Sequence, residues 1–537
     1  MFRHILVNHF LEYSAERFPD KVALIHQGKR LTYAEIDSMA NRLAATFIDM
    51  GIERGDRVAI FMDNSIEAVI AIFASLKAAA AFMMINHTTK AEKLEYILNN
   101  SRGKVILTQA GRAGIVQSIN CPHLQTIIMS GSHNPHEAGI SYTPAKEIIN
   151  SRHTSCIMHQ VPNAPILSYE DIVNSGKMAT ITSRGIDLDL AAILYTSGST
   201  GNPKGVMLSH LNMVSAAHSI TTYLENDEND VIMNMLPLSF DYGLYQILMA
   251  FKIGGTVVLE KSFTYSHEIL NLIVKERVTG FPCVPTIIAI LLQLNNIGKY
   301  DLTSLRYITN TADTLPVSHI KKIRELFPWI KLYSMYGLTE CKRVSYLPPE
   351  ELERRPASVG KGMPNEEVYI VNETGEKIGP GEIGELVVRG ANVMLGYWEM
   401  PEETAKFLRP GRYPGEKVLY TGDLFRMDEE GYLYFVARKD NIIKSKGEKV
   451  SPAEIENILY KLDGIIEAAV IGIFDEILGQ AVKAYIVLEK GSPLTENDIL
   501  RYCSEHLEDF MVPKCVEIVQ TLQKTTTGKI NKKILQD

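Results

Sequence analysis

One loop constrains this chain strongly: Tyr195-Thr196-Ser197-Gly198-Ser199-Thr200-Gly201-Asn202-Pro203-Lys204. The apolar run AAILY (191–195) enters it as a strand, and a helix begins near Ser209 beyond it. Glycines let backbone N–H groups turn toward a polyanion, the hydroxyls add donors, and Lys204 supplies a point charge. Such a loop suits a pyrophosphate or a triphosphate. It is not a Walker A loop, because two residues separate Gly201 from Lys204 and Gly205 stands where Ser or Thr should follow.

Strand and helix patterns alternate around that loop. Thr32-Tyr33-Ala34-Glu35 reads as a capping box, and Ile36, Met39, Ala40, Leu43, Ala44 and Phe47 follow at helical spacing until Gly51. RVAIFM (57–62), DVIMNM (230–235), TVVLE (256–260) and RYITN (306–310) read as strands. The alternation predicts an α/β class, a largely parallel sheet covered by helices. From about 357 the pattern changes to short apolar runs such as GELVVRG and GYLYFVAR between Gly-rich turns, an all-β segment that reads as a small distorted barrel. Ser451-Pro452-Ala453-Glu454 then starts a helix carrying Ile455, Ile458, Leu459 and Leu462. Strand candidates AAVIGI and AVKAYIVLE and a helix near 495–507 complete an α+β unit. The expected division is a large N-terminal domain, 1–439 (α/β to about 356, β-rich over about 357–439), and a smaller C-terminal domain, 440–537. Arg438-Lys439-Asp440-Asn441 reads as the linker between them.

Composition excludes several functions. Against 55 Lys+Arg stand 63 Asp+Glu, a net charge of −8, which argues against a dedicated nucleic-acid binder. The six cysteines (Cys121, Cys156, Cys283, Cys341, Cys503, Cys515) form no CxxC pair, so neither a disulfide framework nor a structural zinc site is expected. His133, His136, His153 and His159 fit no helix face and read as part of a surface loop. At the N-terminus, Val7, Phe10, Leu11, Ala15 and Phe18 describe an amphipathic helix rather than a signal peptide. The apolar stretch Ala68–Ile85 carries Lys77 near its middle and reads as a buried helix running into a strand rather than a membrane span. With no peroxisomal or ER address in the terminal ILQD, the expected compartment is the cytoplasm.

YTSGSTGNPKG (195–205) resembles the phosphate loop of the adenylate-forming superfamily: acyl- and aryl-CoA synthetases, peptide-synthetase adenylation domains and firefly-type luciferases. Further motifs follow in the family's order. Tyr336-Gly337-Leu338-Thr339-Glu340 matches YGxTE, and Thr421-Gly422-Asp423 matches its TGD core, although Tyr420 is directly adjacent where one residue usually intervenes. Arg438-Lys439-Asp440 through Lys446-Gly447 and Pro452-Ala453-Glu454 match the hinge and its following loop, and Thr527-Gly528-Lys529-Ile530 matches the C-terminal lysine motif. The resemblance is strongest to AMP-forming acyl-CoA ligases. Ala79 and Met84 depart from it, standing where Gly and Pro are frequent.

The resemblance implies that a carboxylate attacks the α-phosphate of ATP, releasing pyrophosphate, and that a thiol of CoA or of a carrier protein's phosphopantetheine then takes the acyl group. Lys529 would bridge the carboxylate and the α-phosphate, Thr339 would hydrogen-bond that phosphate, and Glu340 would hold Mg²⁺. Asp423 would accept from the ribose hydroxyls and Arg438 would reinforce it. Nucleotide contacts are further expected from Thr196, Ser197, Gly198, Ser199, Thr200, Gly201, Lys204, Asn310, Thr311, Ala312, Ser334, Met335, Tyr336 and Gly337. Asp440 would be the hinge about which the small domain turns, bringing Lys446 and Gly447 to a thiol tunnel. The expected partners are a small carboxylic acid and, where the acceptor is not CoA, a separate carrier protein; the chain is expected as a monomer or homodimer.

The acid is less clearly written. The resemblance puts its pocket at Phe240, Asp241, Tyr242 and Gly243. The Phe-Asp pair resembles amino-acid adenylation domains, in which that Asp receives the substrate's α-ammonium. Asp241 also precedes Leu244, Ile247, Leu248 and Phe251, where it would cap a helix. TTTGKI and YGLTE lean toward CoA ligases. The alternatives are thus a stand-alone amino-acid-activating enzyme and a luciferase-type oxygenase.

Overall fold

The computed structural model describes residues 4–131, 143, 164–175, 181, 184–196, 202–294, 296–439, 442–445, 448–475, 479–525, 528–532 and 534–535. The chain forms two compact units. One is Met1–Thr279 with Thr339–Lys342 and Ala391–Lys406; the other is Gly280–Leu338 with Arg343–Gly390 and Phe407–Asp537.

The first unit holds an eight-stranded sheet in the order Gly396–Tyr397, Lys204–Ser209, Leu190–Thr196, Ala81–Ile85, Arg57–Phe61, Val105–Gln109, Thr126–Ser130, Ile166–Ser168. From Leu190–Thr196 to Ile166–Ser168 the neighbours are parallel. A second run in this unit pairs Val231–Asn234, Thr256–Leu259 and Val22–His26 in parallel and adds Lys29–Thr32 antiparallel. Helix Tyr33–Asp49 starts where the spacing predicts: Thr32 accepts from the Glu35 amide while the Glu35 side chain takes the Thr32 amide. Ala68–Ile85 is a buried helix, Ile66–Lys77, followed by a buried strand, Ala81–Ile85. Lys77 stays in that interior because Glu12 and Asp37 each bond its ammonium at 2.9 Å. Between helix and strand Ala79 takes φ +61°, a left-handed conformation that glycine adopts more readily than alanine.

In the second unit Gly280–Cys283, Tyr307–Asn310 and Lys331–Tyr336 run parallel, and Ser345–Leu347 and Lys361–Gly362 continue antiparallel. A separate antiparallel sheet orders Glu366–Val371, Ile383–Gly390, Lys417–Met427 and Leu408–Pro410, with Leu433–Arg438 also on Lys417–Met427. The expected all-β segment is therefore interrupted. Pro401 at a first helical position and two glutamates in the first turn start the helix Pro401–Phe407, and Ala391–Lys406 packs with the first unit. The C-terminal stretch pairs Ile465–Asp475 with Gly479–Leu488 antiparallel and Cys515–Ile518 with the latter in parallel. Helices Pro452–Leu459 and Glu496–His506 cover it over a core of Ile455, Leu459, Val470, Val482, Ile486, Ile499 and Cys503.

Among the described residues no helix is long and apolar enough to cross a membrane. His133, His136, His153, His159, Cys156, Asp440, Lys446 and Gly447 lie outside the described residues.

Candidate active site

In the first unit, strands Leu190–Thr196 and Lys204–Ser209 pair antiparallel with Thr196 opposite Lys204, so both ends of the glycine loop are anchored in one sheet. Ser197, Gly198, Ser199, Thr200 and Gly201 themselves lie outside the described residues. The Lys204 ammonium is mostly buried, 2.7 Å from Glu403 Oε2 and 5.5 Å from the centre of the Tyr397 ring. The Tyr397 hydroxyl donates to Glu340 Oε1 at 2.7 Å. One tyrosine thus stands between the lysine that suits phosphate and the carboxylate that suits a divalent cation.

The segment that delivers Tyr397 and Glu403 has its own local logic. Gly396 and Tyr397 pair with Met207 and Val206, and the Tyr397 amide donates to Thr404 Oγ1 at 2.9 Å. Gly396 has φ +136°, and a Cβ there would lie 2.7 Å from Thr404 Cγ2, so the turn needs glycine. Hydrogen bonds from Lys204 and then Lys406 hold the Glu403 carboxyl below the usual carboxylate range. Neither Tyr397 nor Glu403 was marked by the sequence motifs; PEETAKF reads only as a short polar helix.

Asp241 is the first residue of the helix Asp241–Ile253, behind Phe240 as N-cap. Its carboxylate is buried and faces Lys342 Nζ at 3.3 Å, and that ammonium also lies 4.5 Å from the Tyr245 ring centre and 5.3 Å from that of Tyr242. The partner is therefore a lysine of the chain itself, which the sequence did not mark. Phe240 packs edge-on to Tyr242 at 6.1 Å. Gly243 is required by its surroundings, since a Cβ would lie 2.4 Å from the Pro237 carbonyl oxygen. Thr339 is half-buried in the turn before these groups.

In the second unit Asp423 and Arg438 lie opposite each other on adjacent strands. Asp423 is buried; Tyr336 donates to its Oδ2 at 2.5 Å, and Arg438 Nε is 3.4 Å from Oδ1. Tyr336 is fixed at the end of Lys331–Tyr336 by its edge-on contact with Phe425 at 4.8 Å. Ser334 and Met335 are buried in the same strand and Gly337 follows it. Asn310 closes the neighbouring strand; its Oδ1 is buried with no hydrogen-bond partner among the described residues, an acceptor suited to an N–H of a nucleobase. Thr311 is buried after it, and Ala312 takes φ +82°. Lys529 is exposed and belongs to the same unit.

Comparison with known proteins agrees along the chain. Residues 11–398 match the AMP-binding enzyme family, and residues 454–529 match the AMP-binding enzyme C-terminal domain. The chain is 32% identical over 526 residues to a long-chain-fatty-acid–CoA ligase of Bacillus subtilis (strain 168), covering 96% of this chain and 91% of that one. It is 31% identical over 533 residues to a crotonobetaine/carnitine–CoA ligase of Salmonella arizonae, covering 97% and 96%. The anthranilate CoA ligase AuaEII in complex with anthranoyl-AMP superposes with a TM-score of 0.87 at 25% identity, over 100% of this chain and 97% of that one.

Proposed function

The chain belongs to the AMP-binding enzyme family, and from that premise we propose that it is an ATP-dependent, AMP-forming acid–thiol ligase whose thiol is that of CoA. In the first step a carboxylate oxygen bonds to the α-phosphorus of ATP and pyrophosphate leaves. In the second, the thiol sulfur bonds to the acyl carbon of the acyl-adenylate, AMP leaves and the thiol proton is lost. The first step brings two anions together, so positioning and charge neutralisation do most of the work.

The Lys204–Tyr397–Glu340 arrangement carries this reading, because it sets an ammonium and a carboxylate about one tyrosine ring and hydroxyl. Lys204 and the glycine loop would hold the outer phosphates, with Thr196 to Gly201 supplying donors. Glu340 would hold Mg²⁺ together with phosphate oxygens, a donor set that suits this hard cation, and the metal would neutralise phosphate charge there. Thr339 would bond the α-phosphate. Asp423, oriented by Tyr336 and paired with Arg438, would accept from the ribose hydroxyls, while Asn310, Thr311, Ala312, Ser334, Met335 and Gly337 would line the base. Lys529 would stabilise charge developing between carboxylate and α-phosphate. Residues 440–537 would form the mobile domain, with Asp440 as hinge and Lys446 and Gly447 at the thiol tunnel.

For the acid, Phe240, Asp241, Tyr242 and Gly243 would form the pocket. Asp241 is already neutralised by Lys342, which supports a substrate without an α-ammonium. We place the enzyme in the cytoplasm, where ATP and CoA are both supplied. The test is carboxylate-dependent exchange of labelled pyrophosphate into ATP, without thiol, across fatty, aryl, hydroxy and amino acids, with Lys529→Ala as blank. Exchange is expected with one class of acid lacking an amine. Exchange confined to amino acids would favour a carrier-loading enzyme instead, and silence from folded, ATP-binding protein would reject adenylation.

A further inference from the structure

Lys529 belongs to a short hairpin whose arms pair antiparallel at Lys524 and Ile530. Within it the Thr525 amide donates to the Lys529 carbonyl at 2.7 Å, and the Lys529 amide donates to Thr525 Oγ1 at 3.2 Å. Ion pairs of 2.5 Å tie both arms to nearby elements, Lys524 to Glu467 and Lys532 to Glu456. Glu456 lies on the helix Pro452–Leu459 and also accepts from the Val470 amide at 2.7 Å. The shape of the hairpin is thus set by residues of the C-terminal stretch itself.

A contact of another kind reaches back to the middle of the sequence. Thr286, near the start of the helix Pro285–Gln293, donates from Oγ1 to the Gly528 carbonyl at 2.7 Å. Gly528 has φ +81°, and a Cβ there would lie 3.2 Å from Val284 Cγ2, so a left-handed residue without a side chain is what lets the hairpin come this near. Thr286 and Lys529 line one cavity with Asp313, His319, Glu456 and Tyr460. The bonded carbonyl is one residue from Lys529, so the threonine acts on the backbone that aims the ammonium.

We propose that Thr286 is a positioning residue for Lys529: its hydroxyl holds the Gly528 carbonyl, and so the lysine, in the arrangement used for adenylation, and this bond plays no part in thioester formation. The inference rests on the reading of Lys529 as the group that bridges carboxylate and α-phosphate. The test compares the two half-reactions in the full-length protein. Thr286→Val keeps the side-chain shape and removes the donor; pyrophosphate exchange is expected to fall roughly three- to tenfold, the worth of one net hydrogen bond. Thioester formation from supplied acyl-adenylate and CoA should stay at the wild-type rate, and Thr286→Ser should restore exchange. A structural role would lower both half-reactions together, and that result, or wild-type exchange in Thr286→Val, would overturn the proposal. Absence of exchange in the wild-type protein would instead reject the ligase reading, and the proposal with it.

Discussion

Asp241 and Lys342 are 101 residues apart in sequence and meet as a buried ion pair under two tyrosine rings. Removing both charges from water is costly, and the pair survives because each neutralises the other. Lys342 moreover takes φ +62°, a left-handed conformation uncommon for a side-chain-bearing residue, so the backbone is bent to bring the ammonium inward. Lys342→Met leaves a buried carboxylate without this cation and is expected to destabilise the protein by about 3–5 kcal/mol. Adding Asp241→Asn should recover most of that loss. Urea unfolding of the two variants checks both statements, and a Lys342→Met protein as stable as the wild type would show that the pair is not coupled. Read from the sequence alone, Asp241 offered a substrate contact or a helix cap; its actual partner was invisible because nothing local encodes a contact across such a separation.

Helix starts were legible because the bonds that make them span three residues. Thr32 with Glu35, Ser209 with Asn212 and Thr495 with Asp498 each form a reciprocal cap, and Ser451 accepts from the Glu454 amide. The helix Pro401–Phe407 escaped notice because it is short, has no buried face and sits among strand patterns. The helix His210–Tyr223 carries a consequence for pH. The Val7 amide donates to His210 Nδ1 at 3.0 Å, which requires neutral imidazole, and burial first of all lowers the His210 pKa from 6.5 to about 4. The unfolded chain therefore takes up a proton at higher pH than the folded one. The associated stability is complete above pH 6.5 and is lost as the pH falls toward 4, an effect of about 3 kcal/mol. His4 and His319 are lowered to about 4 as well and add to the same slope. His210→Gln should be less stable at pH 7.5 yet lose less on going to pH 4.5, measured by urea midpoints. A profile as steep as the wild type's would remove His210 from this role.

At the scale of the whole molecule, the α/β class, the antiparallel sheet after residue 357 and the strands and helices of the C-terminal stretch were readable because each is a run of repeated local pattern. The groups that link motifs were not: Tyr397 and Glu403 act on Glu340 and Lys204 through contacts made by a segment that carries no motif of its own. Lys529 stands about ninety residues beyond Asp440, in the stretch that the C-terminal family match covers. If that stretch serves one half-reaction through Lys529 and the other through Lys446 and Gly447, damage to the two must separate. Lys529→Ala should remove most pyrophosphate exchange while sparing thioester formation from supplied acyl-adenylate. Asp440→Pro should do the reverse, because proline fixes φ near −65° and blocks a backbone rotation without touching the groups that bind ATP. The assay is the same pair of half-reactions run on both variants. Equal loss of both in Lys529→Ala would mean that one arrangement of the C-terminal stretch serves the entire reaction, and normal thioester turnover in Asp440→Pro would place the hinge elsewhere.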